Sequence, residues 1–564
     1  MTRSANASLP APPARVWDGL TIAVLAVCLA GTLLLGLLSD GVHHDDDLTH
    51  FLMARWARWF PGYLLHIWGR PGLTVPLSAV AWIGDPETAW HACRILSALV
   101  TATGAWISAR LAMRLGVRRP WLVIVAFYAQ PLNALLAGTT LTENFAGLYL
   151  ISAVLLLERG RAMLASAVFS LVLVTRHEAV VLLPLWWVAL AARSAPTARV
   201  WLSAGLALWA VVVHNVAFWL VFQNWPMAVF LTPSGSTEYL ARGPLAYLPR
   251  ALEAIPPVIA ALALIGGAVC VRRRKRLIPA MAAVFFLTHC AVVALGVFAS
   301  GGYARFVVTI APLIAVLAVV GWEEVWRRWR GGHTTRGAWL TMTAVWLVGA
   351  TALAVESRAG RGVAGAALGW WIAVTTLGVL VATLGMAFGR PRRHALPGRV
   401  AVAVLVLTVV IQIGWIVRPM RRRSDQAAVA DVVAWLRRSG LEQRPIFATH
   451  PWISYDLDLI ENPSVHKGPR LVAAMPVGTV VVWDSHYSAS DYHGLPLRDL
   501  RRDDHYRFLR SFEGIGPQPI ELVVFEKAAA TPMPAQAHRT FPPDPAAGRV
   551  RAGMSYYIRA SDAG

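Results

Sequence analysis

The feature that most constrains this chain is a series of apolar runs, rich in Leu, Val and Ala, between Leu20 and Met420. Each run has about 17–25 residues, the length that a helix needs to cross the hydrocarbon core of a bilayer. Because lipid offers no hydrogen-bond partners, a spanning segment must pair its own backbone groups, as a helix does. The runs lack the residue alternation of a membrane β-barrel. We therefore predict a polytopic α-helical membrane protein.

The composition supports this class. Hydrophobic residues make up 56% of the 564-residue sequence and charged residues only 15%, which is typical of membrane proteins. The net charge of +21 does not indicate nucleic-acid binding, because the basic residues lie mostly in short loops, where they orient the spans. The four cysteines lie in apolar segments and predict neither a metal site nor a disulfide framework.

The apolar runs predict about 13 transmembrane helices, at residues 20–38, 91–113, 120–137, 143–158, 161–175, 178–193, 199–222, 251–271, 277–298, 306–326, 337–356, 363–389 and 399–418. Loops on one side are rich in Arg, whereas loops on the other side carry most of the acids. The positive-inside rule therefore places residues 1–19 in the cytoplasm as an N-terminal tail. A basic cluster at Arg421–Arg423 is at odds with this span count.

The chain divides into a membrane domain at residues 20–420 and a second domain at residues 421–564. The membrane domain contains one long extracytoplasmic loop, at residues 39–90. Apolar residues recur at helical spacing from Leu48 to Phe60 in this loop, which predicts an amphipathic helix in the membrane interface with Trp at headgroup depth. Short apolar segments at residues 445–449, 479–483 and 521–525 predict buried strands. The second domain is therefore expected to be a small extracytoplasmic α/β domain with a Pro/Ala-rich tail.

Three consecutive carboxylates, Asp45, Asp46 and Asp47, follow the first span. Like charges this close repel one another, and a membrane surface solvates them poorly. On this pattern alone, a solvated loop that fixes topology and a catalytic carboxylate site are both open. The acids also precede the amphipathic run, and a helix N-terminus favours negative charge.

More ionisable residues fall at span ends or in loops on the predicted extracytoplasmic side: Glu143, Arg176, His177, Glu178, Glu238 and Arg305. Such groups near hydrocarbon are costly and are usually paired or functional, so their convergence on one face favours a site. A carboxylate can act as general base toward a hydroxyl, and arginines match the oxygens of a phosphate. This combination suits a phosphate-linked lipid donor. The spacing of Asp45 and Asp47 would also allow a divalent metal ion, the one cofactor that the sequence suggests.

Taken together, these elements resemble the GT-C superfamily of integral-membrane glycosyltransferases, particularly the branch of protein O-mannosyltransferases and lipid A aminoarabinose transferases. In that family the loop after the first span opens with Asp-Asp or Asp-Glu and continues to an Ala-Arg pair, similar to Asp46-Asp47 and Ala54-Arg55 here. Asp45-Asp46 fits a neighbouring branch almost as well. The triple Asp and the preceding His43-His44 depart from the family pattern.

Later motifs also resemble those of the family, and they occur in the same order along the chain up to about residue 330. A Thr/Glu element that opens a span in the family resembles Thr139–Glu143. A basic residue with a Pro one or two turns later resembles Arg176 and Pro184. An Arg-aromatic pair before a Pro-containing span resembles Arg305-Phe306.

The resemblance implies an inverting transfer of a sugar from a polyprenyl-phosphate donor to a hydroxyl of a glycan, lipid or protein. The reaction would take place on the extracytoplasmic side of a bacterial-type plasma membrane. Asp46, or else Asp45, would be the general base. Arg176 and Arg305 would bind phosphate, and Glu143 would position substrate or arginine. Further candidates for substrate contacts are Arg55, Arg70, His177 and Glu178.

Other functions remain alternatives. A transporter or flippase of lipid-linked substrates would need mid-membrane charges and repeated halves with broken helices, whereas these acids lie at span ends. A polysaccharide ligase or polymerase would rest on Arg and His in a large late loop, and a non-catalytic assembly subunit is a further option. Outside the main constellation, His450, Asp484 and His486 lie at predicted strand ends, whereas His289 is interpreted as packed and hydrogen-bonded within a span.

Overall fold

The computed structural model describes residues 19–193, 197–223, 245–296, 302–331, 395–462, 467–490, 493–516, 519–530 and 557–559, with isolated residues between 225 and 243 and between 337 and 351. The helices up to residue 222 are α1 Gly19–Leu37, α2 Asp45–Trp56, α3 Pro71–Ala81, α4 Pro86–Arg114, α5 Trp121–Tyr128, α6 Pro131–Leu136, α7 Thr142–Glu158, α8 Ala162–Thr175, α9 Leu183–Ala191, α10 Ala198–Leu206 and α11 Trp209–Phe222. Those that follow are α12 Tyr247–Ala254, α13 Pro257–Arg272, α14 Leu277–Leu295, α15 Ala311–Arg330, α16 Ala395–Ile416, α17 Ser424–Arg438, α18 Pro451–Asp456, α19 Pro469–Ala474 and α20 Leu497–Arg502.

The apolar helices identify an integral membrane protein. Four described segments are long and apolar enough to span a bilayer: Gly19–Leu37, Pro86–Arg114, Leu277–Leu295 and Ala304–Arg330. Helices α10 and α11 meet at a 46° bend and together would make a fifth span. The predicted span at residues 120–137 is instead two short helices, because Pro131 begins α6 and cannot continue the hydrogen bonds of α5. The predicted spans at 337–356 and 363–389 lie largely or wholly outside the described residues, so the count of about 13 stays a prediction.

The Arg-rich loops come together at one end of the membrane helices. The backbone N–H of Arg118 donates to Glu323 at 2.8 Å, which joins the loop after α4 to the end of α15. Lys275 Nζ lies 2.9 Å from Glu158 Oε2, which joins the loops after α13 and α7. The sequence placed these loops on one side of the membrane, and the contacts bring them to one face.

Helices α13 and α15 approach each other closely through two glycines. A Cβ atom at Gly266 would lie 1.8 Å from the carbonyl oxygen of Leu317, and one at Gly321 would lie 2.0 Å from that of Leu262. Small residues permit such contact between membrane helices. This packing holds α15 in place, and the 3₁₀ turn Ala304–Ile310 that leads into α15 carries Arg305.

Helix α2 begins at the three aspartates, as predicted, but it is not an exposed interfacial helix. Leu48, Phe51 and Trp56 are all buried. The indole N–H of Trp56 donates to the carbonyl of Leu459, in the C-terminal domain, at 2.8 Å. Trp56 therefore contacts the C-terminal domain, which covers this part of α2, and its predicted headgroup depth stays a prediction.

The C-terminal domain is built on a small sheet, as predicted. Its strands are β1 Ile446–Ala448, β2 Leu459–Glu461, β3 Val480–Asp484, β4 Tyr506–Gly514, β5 Ile520–Lys527 and β6 Tyr557–Arg559. The main sheet has the order β1-β3-β5-β4, with β1 parallel to β3 and the other pairs antiparallel, while β2 pairs with β6. The sequence did not indicate β4, whose charged and exposed positions interrupt any apolar run.

Candidate active site

The three aspartates occupy the first turn of α2, where they point in three directions. His44 caps the helix, and its Nδ1 accepts a hydrogen bond of 3.3 Å from the backbone N–H of Asp46. Successive residues of an α-helix are about 100° apart around its axis, since a turn has 3.6 residues. Asp45, Asp46 and Asp47 therefore meet three different parts of the molecule.

Asp46 points toward the membrane helices and forms an ion pair with Arg305. His44 Nδ1 lies 3.4 Å from Oδ2, the same carboxylate oxygen that contacts Arg305. Burial raises the pKa of Asp46, but the Arg305 guanidinium and His44 outweigh it and hold this pKa well below its usual value. Asp46 is thus ionised at neutral pH, and about a third of its side chain (36%) stays exposed.

Arg305 is 5% exposed and only partly paired. Its Nη2 donates to Asp46, whereas its Nε lies 3.7 Å from Glu143 Oε1, beyond hydrogen-bonding distance. Within the described part of the chain, the Nε and Nη1 groups of Arg305 are buried without a hydrogen-bond partner. The guanidinium also lies 5.1 Å from the centre of the Tyr303 ring. Buried N–H donors are normally satisfied, so this arginine has spare capacity for an anion.

A second arginine, Arg176, continues the cluster. It lies where α8 ends, and its Nη1 is 3.0 Å from Glu143 Oε1 and 3.1 Å from the hydroxyl of Thr142. Its Nη2 pairs with Glu178. Its Nε is buried and has no partner among the described residues. Glu143, which is 1% exposed at the first turn of α7, therefore lies between the two arginines.

Three more basic or imidazole groups surround these pairs. Arg70 begins α3 with a left-handed φ of 59°. Burial lowers the pKa of Arg70 to about 10, opposed by the charge of Glu178. The ring of His50 lies 3.1 Å from the carbonyl of Thr140, and burial lowers its pKa to about 4, so it is neutral at pH 7. His177 stacks on His214, with 6.4 Å between ring centres.

Asp45 points away from this cluster, toward the C-terminal domain. Arg423, which caps α17, and Gln426 of α17 donate to its Oδ1 at 2.9 and 3.3 Å, and the Tyr487 hydroxyl donates to its Oδ2 at 2.6 Å. Burial raises its pKa, but Arg423, His450 and Tyr487 together lower it. Asp45 therefore joins the C-terminal domain to α2 and is not placed as a base in the cluster.

Asp47 is fully buried and anchors the segment before α7. Its Oδ1 accepts hydrogen bonds from the backbone N–H of Thr140 at 2.6 Å and from the Thr140 hydroxyl at 2.5 Å. Asp45 and Asp47 thus engage separate partners and do not share a pocket, which argues against the predicted metal ion between them. In the described residues, the group close enough to hold a metal is elsewhere, at Asp425, His450 and His486.

Arg55 is also separated from the cluster. Its Nε and Nη2 donate to the Asp458 carboxylate at 3.0 and 2.9 Å, and its Nη1 donates to the carbonyl of Gly84 at 3.2 Å. With these donors engaged, the predicted contact of Arg55 with a substrate headgroup has no support in the geometry. Glu238 lies outside the described residues.

Two features of the cluster were not apparent from the sequence. His289, interpreted there as hydrogen-bonded, is 2% exposed, and neither ring nitrogen has a hydrogen-bond partner within the described ranges. Its Nε2 lies 3.9 Å from Glu178 Oε1, at the edge of the cluster. His50 was visible only as a neighbour of the aspartates. A lone histidine in an apolar run gives no signal that separates these positions from packed residues.

The cluster therefore combines an ionised carboxylate, Asp46, with two buried arginines whose N–H groups are not all paired by the described residues. The acidic partners of the arginines, Glu143 and Glu178, keep the cationic side chains fixed without using all of their donors. Such an arrangement can take a proton and bind an anion in the same place.

The overall fold matches known membrane proteins. The crystal structure of ArnT from Cupriavidus metallidurans bound to undecaprenyl phosphate is similar at 13% sequence identity and a TM-score of 0.53, over 90% of this chain and 98% of ArnT. Apo ArnT matches over the same shares of both chains, at 14% identity and a TM-score of 0.55. No protein-family model and no curated protein matches the sequence. The chain thus has the fold of ArnT, a GT-C aminoarabinose transferase, and the predicted resemblance to the GT-C superfamily holds for the fold.

Proposed function

We propose that this protein is a glycosyltransferase that moves a sugar from a polyprenyl-phosphate donor to a hydroxyl group of a glycan, lipid or protein, with inversion at the anomeric carbon. The observation that carries the proposal is the ion pair of Asp46 and Arg305, in which the carboxylate is ionised and the buried arginine keeps two N–H groups that no described residue pairs. The ArnT structure with bound undecaprenyl phosphate supports a lipid-phosphate donor for this fold.

Arg305 and Arg176 would hold the donor phosphate. A guanidinium stays charged and matches two phosphate oxygens at once. Nε and Nη1 of Arg305 and Nε of Arg176, which have no partner among the described residues, would supply donors without breaking the existing ion pairs. Glu143 fixes both arginines, and Glu178, with Arg70 and His177 nearby, would shape the phosphate pocket.

Phosphate binding would also activate Asp46. In the resting protein Arg305 makes this carboxylate a weak base. A phosphate that draws the Arg305 charge to itself would raise the pKa of Asp46 and increase its basicity. The ion pair therefore links donor binding to base strength.

In the proposed step, the acceptor oxygen forms a bond to the anomeric carbon while its proton passes to an Asp46 oxygen. The bond between the anomeric carbon and the phosphate oxygen breaks, and the electron pair leaves with polyprenyl phosphate. Arg305 and Arg176 neutralise the charge that develops on this leaving group. The step is redox-neutral and needs no electron donor or acceptor.

We further propose that the N-terminus is cytoplasmic and that the site and the C-terminal domain face the extracytoplasmic side of a bacterial-type plasma membrane. The gathering of the Arg-rich loops at the opposite end of the helices supports this orientation.

The proposal is tested by transfer of labelled sugar from polyprenyl-phosphate donors in proteoliposomes, for the wild type and Asp46→Asn. Removing a general base is expected to lower the transfer rate by about 10²–10⁴. Full activity of Asp46→Asn would exclude this residue as the base. Movement of an intact lipid across the bilayer without sugar transfer would favour the flippase instead.

A further inference from the structure

The C-terminal domain contains a separate cluster of three side chains that suits a metal ion. One ligand atom from each of Asp425, His450 and His486 lies within 4.8 Å of the other two. Asp425 and His450 are 1% and 0% exposed, and His486 is the most exposed of the three. Asp425 comes from the first turn of α17, His450 caps α18, and His486 follows β3, so the cluster joins three separate segments.

One ring nitrogen of each histidine in the cluster is available to a ligand. His450 Nε2 is buried and has no hydrogen-bond partner in the part of the chain that the structure describes. His486 Nε2 lies 2.9 Å from the carbonyl oxygen of Pro519, which can only accept, so this nitrogen carries the proton. The lone pair of His486 is therefore on Nδ1. A backbone carbonyl that fixes the tautomer in this way is typical of histidines that bind metals.

The charges around the cluster favour a cation. The carboxylates of Asp425, Asp45 and Asp484 all act on His450. Arg423 is the one nearby cation that contacts this group, at 3.1 Å from Asp425 Oδ2 and 2.9 Å from Asp45 Oδ1, as far as the described residues go. A divalent ion would therefore enter a region with more carboxylates than arginines.

We propose that Asp425, His450 and His486 form a site for a divalent transition-metal ion of the zinc type. Two imidazoles and a carboxylate are a common ligand set for zinc. Tetrahedral bonds of about 2.0–2.1 Å place ligand atoms roughly 3.3 Å apart, so the side chains need to close by about 1.5 Å at most. His486, the most exposed of the three, has room to make that movement.

Binding has one local cost. His450 Nδ1 accepts a long hydrogen bond of 3.3 Å from the backbone N–H of Trp452. A metal on Nε2 requires the proton on Nδ1, so this contact would be lost. Three metal–ligand bonds exceed a single long hydrogen bond in strength, and the Trp452 N–H is near the helix end, where donors are often unpaired.

The position of the ion would give it a structural role next to the candidate active site. Arg423 contacts both Asp425 and Asp45, and Tyr487, next to His486, donates to Asp45. A metal ion at the cluster would hold α17 and the loop after β3 together at the point where both contact Asp45. Metal binding itself does not depend on the proposed transferase activity.

The test uses the purified full-length protein, freed of metal with a chelator and titrated with Co²⁺, whose visible absorption reports its ligand geometry. We expect one equivalent to bind, to be displaced by Zn²⁺, and to raise the Tm. His486→Gln should lower the affinity at least about tenfold. The matched control is His505→Gln in the same domain, a half-exposed histidine that contacts Asp503 and should bind Co²⁺ like the wild type.

His450→Gln is a second variant at the buried position, with circular dichroism to check its fold. If it does not fold, the comparison between His486→Gln and His505→Gln still decides. Absence of stoichiometric Co²⁺ or Zn²⁺ binding by the wild type would overturn the proposal. Equal Co²⁺ affinity of the wild type and His486→Gln would also overturn the proposal.

Discussion

Two aspartate–arginine pairs lie side by side at the start of α2, and their arginines are used very differently. Arg423 donates through Nε and Nη2 to Asp425 and through Nη2 to Asp45, and 27% of its side chain is exposed. Arg305 is almost completely buried, donates to Asp46, and retains Nε and Nη1 groups without a partner in the described structure. The first pair is satisfied by the protein, whereas the second is not.

The contrast separates a structural ion pair from one that is prepared for a ligand. A buried donor without a partner costs about 1–3 kcal/mol, and a protein retains such a cost where function requires it. The pair of Asp45 and Arg423 should therefore contribute to stability and little to chemistry. The pair of Asp46 and Arg305 should do the opposite.

Among the variants that compare the two pairs, the largest expected effect comes from replacing each arginine with glutamine in turn. Arg305→Gln removes a charge that would stabilise the departing phosphate, so we expect sugar transfer to fall by about 10²–10³. Arg423→Gln should lower transfer less than about tenfold, because its partners lie outside the cluster. Initial rates at saturating and limiting donor, for both variants in the same membranes, measure this difference. Similar losses in the two variants would mean that the structural contrast does not describe function.

The second effect is on the pH dependence of Arg305→Gln. A general base works above its pKa, and in the wild type Arg305 holds the pKa of Asp46 well below its usual value. Without Arg305 that pKa should rise, because the largest opposing influence, burial, is then less compensated. The acid limb of kcat/KM therefore moves to higher pH. Profiles of the wild type, Arg305→Gln and Arg423→Gln test this, and an unshifted limb in Arg305→Gln would contradict the assignment of Asp46.

The third effect is on stability, at the other pair. Asp45→Asn weakens the contacts with Arg423 and Tyr487, and hydrogen bonds to charged groups are worth about 1.5–3 kcal/mol each. The pKa of Asp45 is lowered in the folded protein, so its contribution is complete above the unfolded pKa of about 3.9 and is lost as pH falls through the lower folded value. Thermal unfolding in detergent at pH 7 and near pH 3.5 should give a gap between wild type and variant that narrows in acid. A gap that widens there would reverse the assigned direction.

The sequence was sufficient to predict that four charged residues of the cluster would lie on the same face. Asp46, Glu143, Arg176 and Arg305 all lie at span ends, and spans of similar length bring alternate ends to the same membrane face. Their convergence therefore follows from the order of spans and loops. The fold class followed for the same reason, because apolar runs of that length have few alternatives.

The roles of the individual aspartates could not be predicted in this way. The direction of Asp45 depends on Arg423, 378 positions away, and that of Asp47 depends on Thr140. A one-residue shift along the first turn of α2 exchanges these environments, so the register that pairs Asp45 with Asp46 fitted the local pattern almost as well as the preferred one. Only the docking of the C-terminal domain onto α2 distinguishes the environment of Asp45 from that of Asp46.

Arg55 gives the smallest expected effect and a direct test of that long-range dependence. Its position in the Ala-Arg pair indicated a substrate contact, but its carboxylate partner, Asp458, lies 403 positions away in the C-terminal domain. Arg55→Gln should therefore change transfer less than about threefold while it lowers the Tm, because it breaks a two-pronged contact between α2 and that domain.

Arg70→Gln is the matched comparison, since the charge of Arg70 acts on Glu178, Arg176 and Asp46, and it should raise the KM for the donor at least tenfold, about 1.4 kcal/mol. A KM for Arg55→Gln as high as that for Arg70→Gln would assign Arg55 to the donor site, and that site would then extend about two and a half turns along α2 from Asp46.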